Sequence, residues 1–218
     1  MDIHILLIFV KKYGKFVLLG FFLCIFVLVV RQLLHSSLAT FDETVYGFVS
    51  GFRSSTLTFI FRTISFFSGP YFLFILSLCL FFVFKSTKYS LLSLLNLIVI
   101  VLFNQGLKLL FSRPRPFEWM LVGETGYSFP SGHAMVSVAF YGMIIYLIWR
   151  TNLDKKYKKL WTIILVVLVL LIGLSRIYLG VHYASDIVAG FTISLSYLII
   201  ATSLIDYYLK IKSNRKKS

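Results

Sequence analysis

Six apolar stretches, at about 16–35, 57–84, 89–110, 133–149, 160–178 and 184–209, take up most of this chain, with basic residues clustered between them. Each stretch approaches or exceeds the ~20 apolar residues that a helix needs to cross a bilayer. Composition agrees: 59% of the 218 residues are hydrophobic, against ~45–50% in a soluble domain, and the mean hydropathy is +0.89. The sequence therefore predicts an all-α fold, a polytopic membrane helix bundle with about six transmembrane helices, formed by residues 1–218 as one domain. Ser68-Gly69-Pro70 lies inside the long second stretch and predicts a kink or partial break there.

The formal charge of +14 admits nucleic acid, anionic lipid or an anionic substrate as a partner. No nucleic-acid motif is present, and the positive charge is not gathered on one soluble module. Its distribution follows the spans instead. Lys11, Lys12 and Lys15 precede the first; Lys85 and Lys88 separate the second and third. Arg150, Lys155, Lys156, Lys158 and Lys159 separate the fourth and fifth, and Lys210, Lys212, Arg215, Lys216 and Lys217 follow the sixth. With six spans these segments share one side and hold 15 of the 22 basic residues. The positive-inside rule makes that side cytoplasmic and puts both termini there. The basic start, the apolar run and Ser37-Leu38-Ala39 also resemble a cleaved signal peptide. The length of the run and Arg31 within it favour a retained first span.

After the first span, Thr40 and Glu43 have capping-box spacing. Phe41, Val45, Phe48, Val49 and Phe52 then recur at helical intervals. They predict an amphipathic helix too short to span, either lying in the outer interface or packed on the bundle. Cys24 and Cys79 sit inside apolar stretches, without ligand spacing, and read as packing residues.

Seven basic residues fall on the outer side: Arg31, Arg53, Arg62, Lys108, Arg113, Arg115 and Arg176. Three short segments on this side carry the chemistry. In "KLLFSRPRPF", Lys108 ends the third span, Arg115 follows seven residues later, and Pro114 and Pro116 stiffen the exit. In "FPSGH", Ser131 is placed to cap a new helix, Gly132 allows close backbone approach, and His133 projects from the first turn. A helix N-terminus of this kind binds phosphate-like anions. In "SRIYLGVHYASD", Arg176 closes the fifth span, while His182 and Asp186 are four apart and share a helical face. Asp186 beside His182 supports a basic or nucleophilic imidazole. Each segment alone also has a plain structural reading: snorkelling cations, a capped helix, a satisfied buried pair.

Together they converge on one membrane face. Two histidines and an aspartate could ligate a metal, but Lys108, Arg115 and Arg176 repel a divalent cation and suit a phosphate. We read no metal site and no cofactor. Phosphoryl transfer needs charge stabilisation, a nucleophile and an acid for the leaving group. His182, backed by Asp186, suits the nucleophile; His133, with no carboxylate partner in sequence, suits the general acid.

Lys108-x6-Arg115-Pro116, Pro130-Ser131-Gly132-His133 and Ser175-Arg176-x5-His182-x3-Asp186 resemble the three signature motifs of the type-2 phosphatidic-acid phosphatase superfamily, in order and with full spacing. The resemblance covers about 104–190 by motif. It implies hydrolysis of a lipid phosphate or diphosphate through a phosphohistidine, without metal. It assigns His182 as nucleophile, Asp186 as its partner and His133 as general acid, with Lys108, Arg115, Ser131, Gly132 and Arg176 holding the phosphate. Arg113 lies in the variable part of the first motif and receives no role. The implied protein is a multi-pass cell-membrane phosphatase, bacterial in character, with an extracytoplasmic active site. Undecaprenyl diphosphate and phosphatidylglycerophosphate are the implied substrates and membrane lipids the surroundings. A non-catalytic lipid-phosphate binding or transport protein of the same fold is the alternative. Phe117, Trp119, Met120 and Leu121 are expected to dip into the interface, and Glu118 and Glu124 to tune the headgroup.

Overall fold

The computed structural model describes residues 3–84 and 87–214, with side chains for 13–84, 87–211 and 214. Lys11, Lys12, Lys85, Lys212, Arg215, Lys216 and Lys217, used above for orientation, lie outside the described residues or side chains. The described residues form α1 (Ile3–Leu34), α2 (Ala39–Ser50), α3 (Ser55–Phe66), α4 (Pro70–Phe84), α5 (Thr87–Phe111), α6 (Gly132–Ile148), α7 (Lys155–Tyr178) and α8 (Ala184–Asn214), with a 3-10 turn at Phe117–Trp119.

α1, α5, α7 and α8 are each long and apolar enough to cross a membrane. α3 and α4 qualify as a pair, bent by 49° at the break between them. The remaining apolar helix, α6, has 17 residues. The six expected stretches thus become four long helices, one bent pair and a shorter central helix. The architecture is the expected all-α membrane bundle.

The break falls at Phe67-Ser68-Gly69, next to the proline that predicts it. Pro70 opens α4, where a missing N–H removes no helical hydrogen bond. The carbonyl of Phe67 accepts a hydrogen bond of 2.5 Å from the Tyr141 hydroxyl on α6. A main-chain acceptor released by the break is therefore satisfied from a neighbouring helix, which lipid could not do.

α6 packs against α5, α7 and α8. Its buried side chains, among them Met135, Ala139, Phe140, Met143 and Leu147, lie all around its circumference, as expected of an interior helix with no polar face. Asn96 of α5 donates to the Ala139 carbonyl at 3.0 Å, an interhelical bond of the sort that ties helices together where hydrophobic attraction between them is weak. α1 lies along α8 and leaves Phe16, Val17, Phe21 and Val27 exposed, in keeping with a lipid-facing surface. At the end of the bundle where α6 finishes, Asp206 gathers Lys15 at 3.3 Å, the Tyr146 hydroxyl at 2.7 Å and Arg150.

α2 departs from its expected start. Its N-cap is Leu38, with no side-chain capping bond. Thr40 is already helical and accepts, through its carbonyl, from the Thr44 hydroxyl, so the Thr40–Glu43 capping box does not form. The chain turns at Ser36, whose φ is +55°, and the helix begins before Thr40 can act as a cap. α2 is both packed and amphipathic: Asp42 and Val49 are buried, while Phe41 and Phe48 are exposed.

The segment from α5 to α6 is anchored more firmly than expected. Trp119 stacks on Tyr46 at 4.0 Å. Met120 and Leu121 pack against buried residues of the 177–181 turn, and Leu121 N–H donates to the Leu179 carbonyl. Arg53 and Arg62 donate to the carbonyls of Trp119 and Leu121, both at 2.8 Å. Of the four side chains expected in the interface, Phe117 is the one left largely exposed. The others turn inward because this segment roofs the end of the bundle. Gly180 makes the contact possible. Its φ is +68°, and an added Cβ would lie 1.9 Å from the Trp119 carbonyl oxygen. Gly180→Ala is expected to lower the thermal midpoint of the detergent-solubilised protein, the left-handed backbone alone costing an L-residue ~1–2 kcal/mol; an unchanged melting curve would contradict this packing.

Candidate active site

Four helix ends meet at the end of the bundle opposite Asp206. They are the C-termini of α5 and α7, which carry Lys108 and Arg176, and the N-termini of α6 and α8, which carry His133 and Asp186. Arg115 reaches the same place from the roofing segment, and His182 from the turn between α7 and α8.

His182 is the centre of the arrangement and is buried. Its Nδ1 lies 3.3 Å from Asp186 Oδ2 and 3.2 Å from the Ser128 hydroxyl. Ser128 also donates to Asp186 Oδ2, and Tyr183 N–H donates to the same oxygen at 3.0 Å. Asp186 therefore accepts at one face of the imidazole, which places the proton on Nδ1 and the lone pair on Nε2. The four-residue spacing did predict this contact, although His182 lies just before α8 and not within it.

On the other side of the ring, Arg115 Nη1 is 3.3 Å from Nε2 and donates to the Val181 carbonyl at 2.8 Å. Its Nε donates to the carbonyls of Thr125 and Gly126. Arg176 Nη1 donates to the Ser65 hydroxyl at 2.5 Å, and its Nη2 pairs with Glu124. The Nε of Arg176 is buried and has no partner among the described residues. A buried donor without a partner is costly, and an anion bound there would relieve it. Glu124 also faces Arg115 Nη2, at 3.9 Å. Its carboxylate thus lies between the two guanidinium groups. Lys108 lies within electrostatic reach of Arg115, Glu124 and Arg176.

Ser131 caps α6 as expected, accepting from Ala134 N–H at 3.4 Å, and its own N–H donates to the Asp186 carbonyl. The first-turn amides of Gly132 and His133 have no acceptor within the helix. A Cβ on Gly132 would meet Asn104 Oδ1 at 3.0 Å, and Asn104 in turn donates to the Pro130 carbonyl at 3.1 Å. Gly132 thus allows α5 to hold the capping turn closely. His133 lies within electrostatic reach of Arg176, His182, Lys108 and Arg115, and no carboxylate is bonded to it among the described residues. All eight residues singled out in the sequence therefore gather at one end.

The sequence reading missed four contributors. Ser128 and Asn104 carry no spacing signal. Glu124, expected at the headgroup, pairs instead with Arg115 and Arg176, while Glu118 stays exposed. Arg113 is the largest omission: its guanidinium bonds Asp186 Oδ1 and Asp42 Oδ2, both at 2.7 Å.

The electrostatics follow from burial and crowding. Burial, then the cations Arg115, Arg176 and Lys108, hold the His182 imidazole well below its ordinary range near 6.5. These surroundings favour the neutral ring, with its lone pair at Nε2 facing Arg115. Selective ¹⁵N-histidine NMR should show His182 neutral at pH 6, with its titration midpoint shifted downward from 6.5; a midpoint at or above 6.5 would contradict the cationic surroundings.

A family model described as the PAP2 superfamily matches residues 88–210. Phosphatidylglycerophosphatase B of Bacillus subtilis is 37% identical over 137 residues, 62% of this chain and 66% of that relative. The alignment thus spans slightly less than two thirds of the relative's length. A crystal structure of a transmembrane PAP2-type phosphatidylglycerolphosphate phosphatase from Bacillus subtilis superposes with a TM-score of 0.77 at 30% identity, covering 89% of this chain and 97% of the other. The crystal structure of Aquifex aeolicus LpxE shares the fold, with a TM-score of 0.62 at 24% identity over 75% of this chain and 95% of the other.

Proposed function

The chain belongs to the PAP2 superfamily, and from that membership we propose that it is a membrane lipid phosphatase, acting as one membrane domain, whose His182 takes the phosphoryl group of its substrate. The observation that carries the reading is the meeting of Lys108, Arg115 and Arg176 around a neutral His182 whose Nε2 faces Arg115. The buried, unpartnered Nε of Arg176 supports an anion in the same place. A phosphoryl group offers several charged oxygens to such donors, together with the first-turn amides of α6.

The chemistry balances with these residues alone. Asp186 and Ser128 hold the imidazole by Nδ1. Nε2 attacks phosphorus, forming a P–N bond as the P–O bond to the lipid breaks. The departing oxygen takes a proton from His133 in its imidazolium form, which the negative charge of the bound phosphate favours by offsetting Arg176, Lys108 and Arg115 around it. His133, now neutral, accepts a proton from water, whose oxygen displaces Nε2 and releases inorganic phosphate. Both histidines return to their starting states. The cationic lining opposes a divalent metal, so the reaction is expected to proceed in EDTA.

The likeness to phosphatidylglycerophosphatase B makes phosphatidylglycerophosphate the first substrate to test, with undecaprenyl diphosphate as the diphosphate arm. Phosphate release in EDTA is expected from at least one of them. His182→Ala should abolish it. His133→Ala should cost ~10²–10⁴-fold on an alkyl phosphate, and much less on an aryl phosphate whose leaving group needs no proton. Turnover surviving His182→Ala, or requiring added Mg²⁺, overturns the mechanism. Lipid-phosphate binding without release by the wild-type protein would favour a non-catalytic binding or transport role.

The basic residues at the end opposite the site, Lys15, Arg150 and Lys155 to Lys159 among them, support a cytoplasmic location for that end and an outward-facing site. In a background lacking Cys24 and Cys79, an impermeant maleimide applied to intact cells should label Gly123→Cys and spare Asn152→Cys. The reverse pattern overturns the orientation.

A further inference from the structure

Among the described side chains, Asp42 is the most deeply buried acidic group outside the three motif segments, and it sits on α2, outside the 88–210 stretch that the family model matches. Nothing in the proposed chemistry uses it. Yet its side-chain bonds all lead toward the nucleophile. Its Oδ1 accepts from Ser185 N–H at 2.8 Å. Its Oδ2 accepts from the Ser185 hydroxyl at 2.8 Å and from Arg113 Nη2 at 2.7 Å. Arg113 Nη1 then bonds the Ser185 hydroxyl at 2.8 Å and Asp186 Oδ1 at 2.7 Å. The other oxygen of Asp186 faces His182 Nδ1. A planar guanidinium with fixed donor directions is suited to span two carboxylates in this way.

We propose that Asp42 and Arg113 are positioning residues for the nucleophile, a buried relay from α2 that fixes the Asp186 carboxylate, and through it the ring of His182. The proposal rests on the phosphatase reading above for its activity arm. Without Arg113, Asp186 keeps the bonds at Oδ2 but loses the one that sets the rotation of its carboxylate about Cβ–Cγ. Asp42 fixes Arg113 in turn, and the Tyr183 ring, 3.9 Å from the guanidinium, covers its face. None of these atoms is placed to touch a phosphoryl group at Nε2, so their effect is on orientation and not on substrate affinity.

A cavity of about 330 Å³ lined by Asp42, Glu43, Arg113, Trp119 and Tyr183 adjoins the relay and makes chemical rescue possible. The experiment compares wild type, Arg113→Ala, Arg113→Lys and Asp42→Asn, each purified as the full chain in detergent. It uses steady-state kinetics on the lipid phosphate and ¹⁵N-histidine NMR of His182. The expected result is a fall in kcat of ~10–100-fold, the range known for outer partners of metal-ligating histidines, with KM little changed. Guanidinium ion should restore part of the activity of Arg113→Ala and none of the activity of His182→Ala. Asp42→Asn should shift the His182 Nδ1 resonance in the same direction as Arg113→Ala, by a smaller amount. Arg113→Lys reaches one carboxylate at a time and should lie between wild type and Arg113→Ala.

Wild-type kcat in Arg113→Ala overturns the relay. So does a loss confined to folded yield or thermal stability, with normal kcat per folded molecule, no guanidinium rescue and an unmoved His182 signal. If the wild-type protein hydrolyses no lipid phosphate, the phosphatase reading has failed, and the NMR arm still decides the relay: an unmoved His182 resonance in both Arg113→Ala and Asp42→Asn refutes it.

Discussion

Two buried guanidinium groups beside a neutral imidazole impose the strongest constraint on this molecule. Charges taken out of water are stable only when their donors are met, and the chain meets them from several directions, leaving the Nε of Arg176 without a partner among the described residues. Arg115 is bonded by the carbonyls of Thr125, Gly126 and Val181. Arg176 is bonded by Ser65 across the break-bearing helix pair and by Glu124. With Lys108 close by, one carboxylate, that of Glu124, lies between them. The pocket therefore holds more positive charge than its own acidic groups balance; burial and then this charge hold the His182 imidazole well below its ordinary range, and the charge favours an incoming anion.

The bundle makes that concentration possible because the site is built from helix ends. α5 and α7 arrive at one end of the bundle while α6 and α8 depart from it, so every motif comes to the same place. α6 is walled by protein around its length, which holds its capped N-terminus beside Asp186. The segment joining α5 to α6 is fixed by Arg53, Arg62 and the Tyr46–Trp119 stack. It roofs the site and delivers Arg115, Glu124 and Ser128 from one stretch of chain. Residues outside the motif-bearing half contribute at the second layer: Ser65 to Arg176, and Asp42 to Arg113.

Much of this was legible before the structure. Hydrophobic run lengths marked the helices, and Ser68-Gly69-Pro70 marked the bend, because both are local properties of the chain. That the eight candidate residues share one end was legible because their motifs sit at span ends on one side. The capping box at Thr40 was misread, since the same spacing is compatible with a helix that begins slightly earlier. Trp119, Met120 and Leu121 were expected in the interface because apolarity alone does not distinguish lipid from a neighbouring turn. Asp42 and Arg113 are 71 residues apart, and Ser128 and Asp186 are 58 apart. No periodicity links such pairs, so their contacts were invisible in the sequence.

By itself, the sequence determined that the chain is a membrane helix bundle and which charged residues share one end of it. Those outcomes depend on the cost of burying main-chain polar groups in lipid and on the alternation of spans, both readable residue by residue. The tertiary structure alone decided which atoms meet: that Arg115 faces Nε2 of His182, that Glu124 stands between the arginines, and that α2 sends Asp42 through Arg113 to Asp186. Those contacts depend on how helices far apart in the chain pack side by side, and hydrogen bonds reach only about 3 Å, so placement in space and not order in the chain selects the partners.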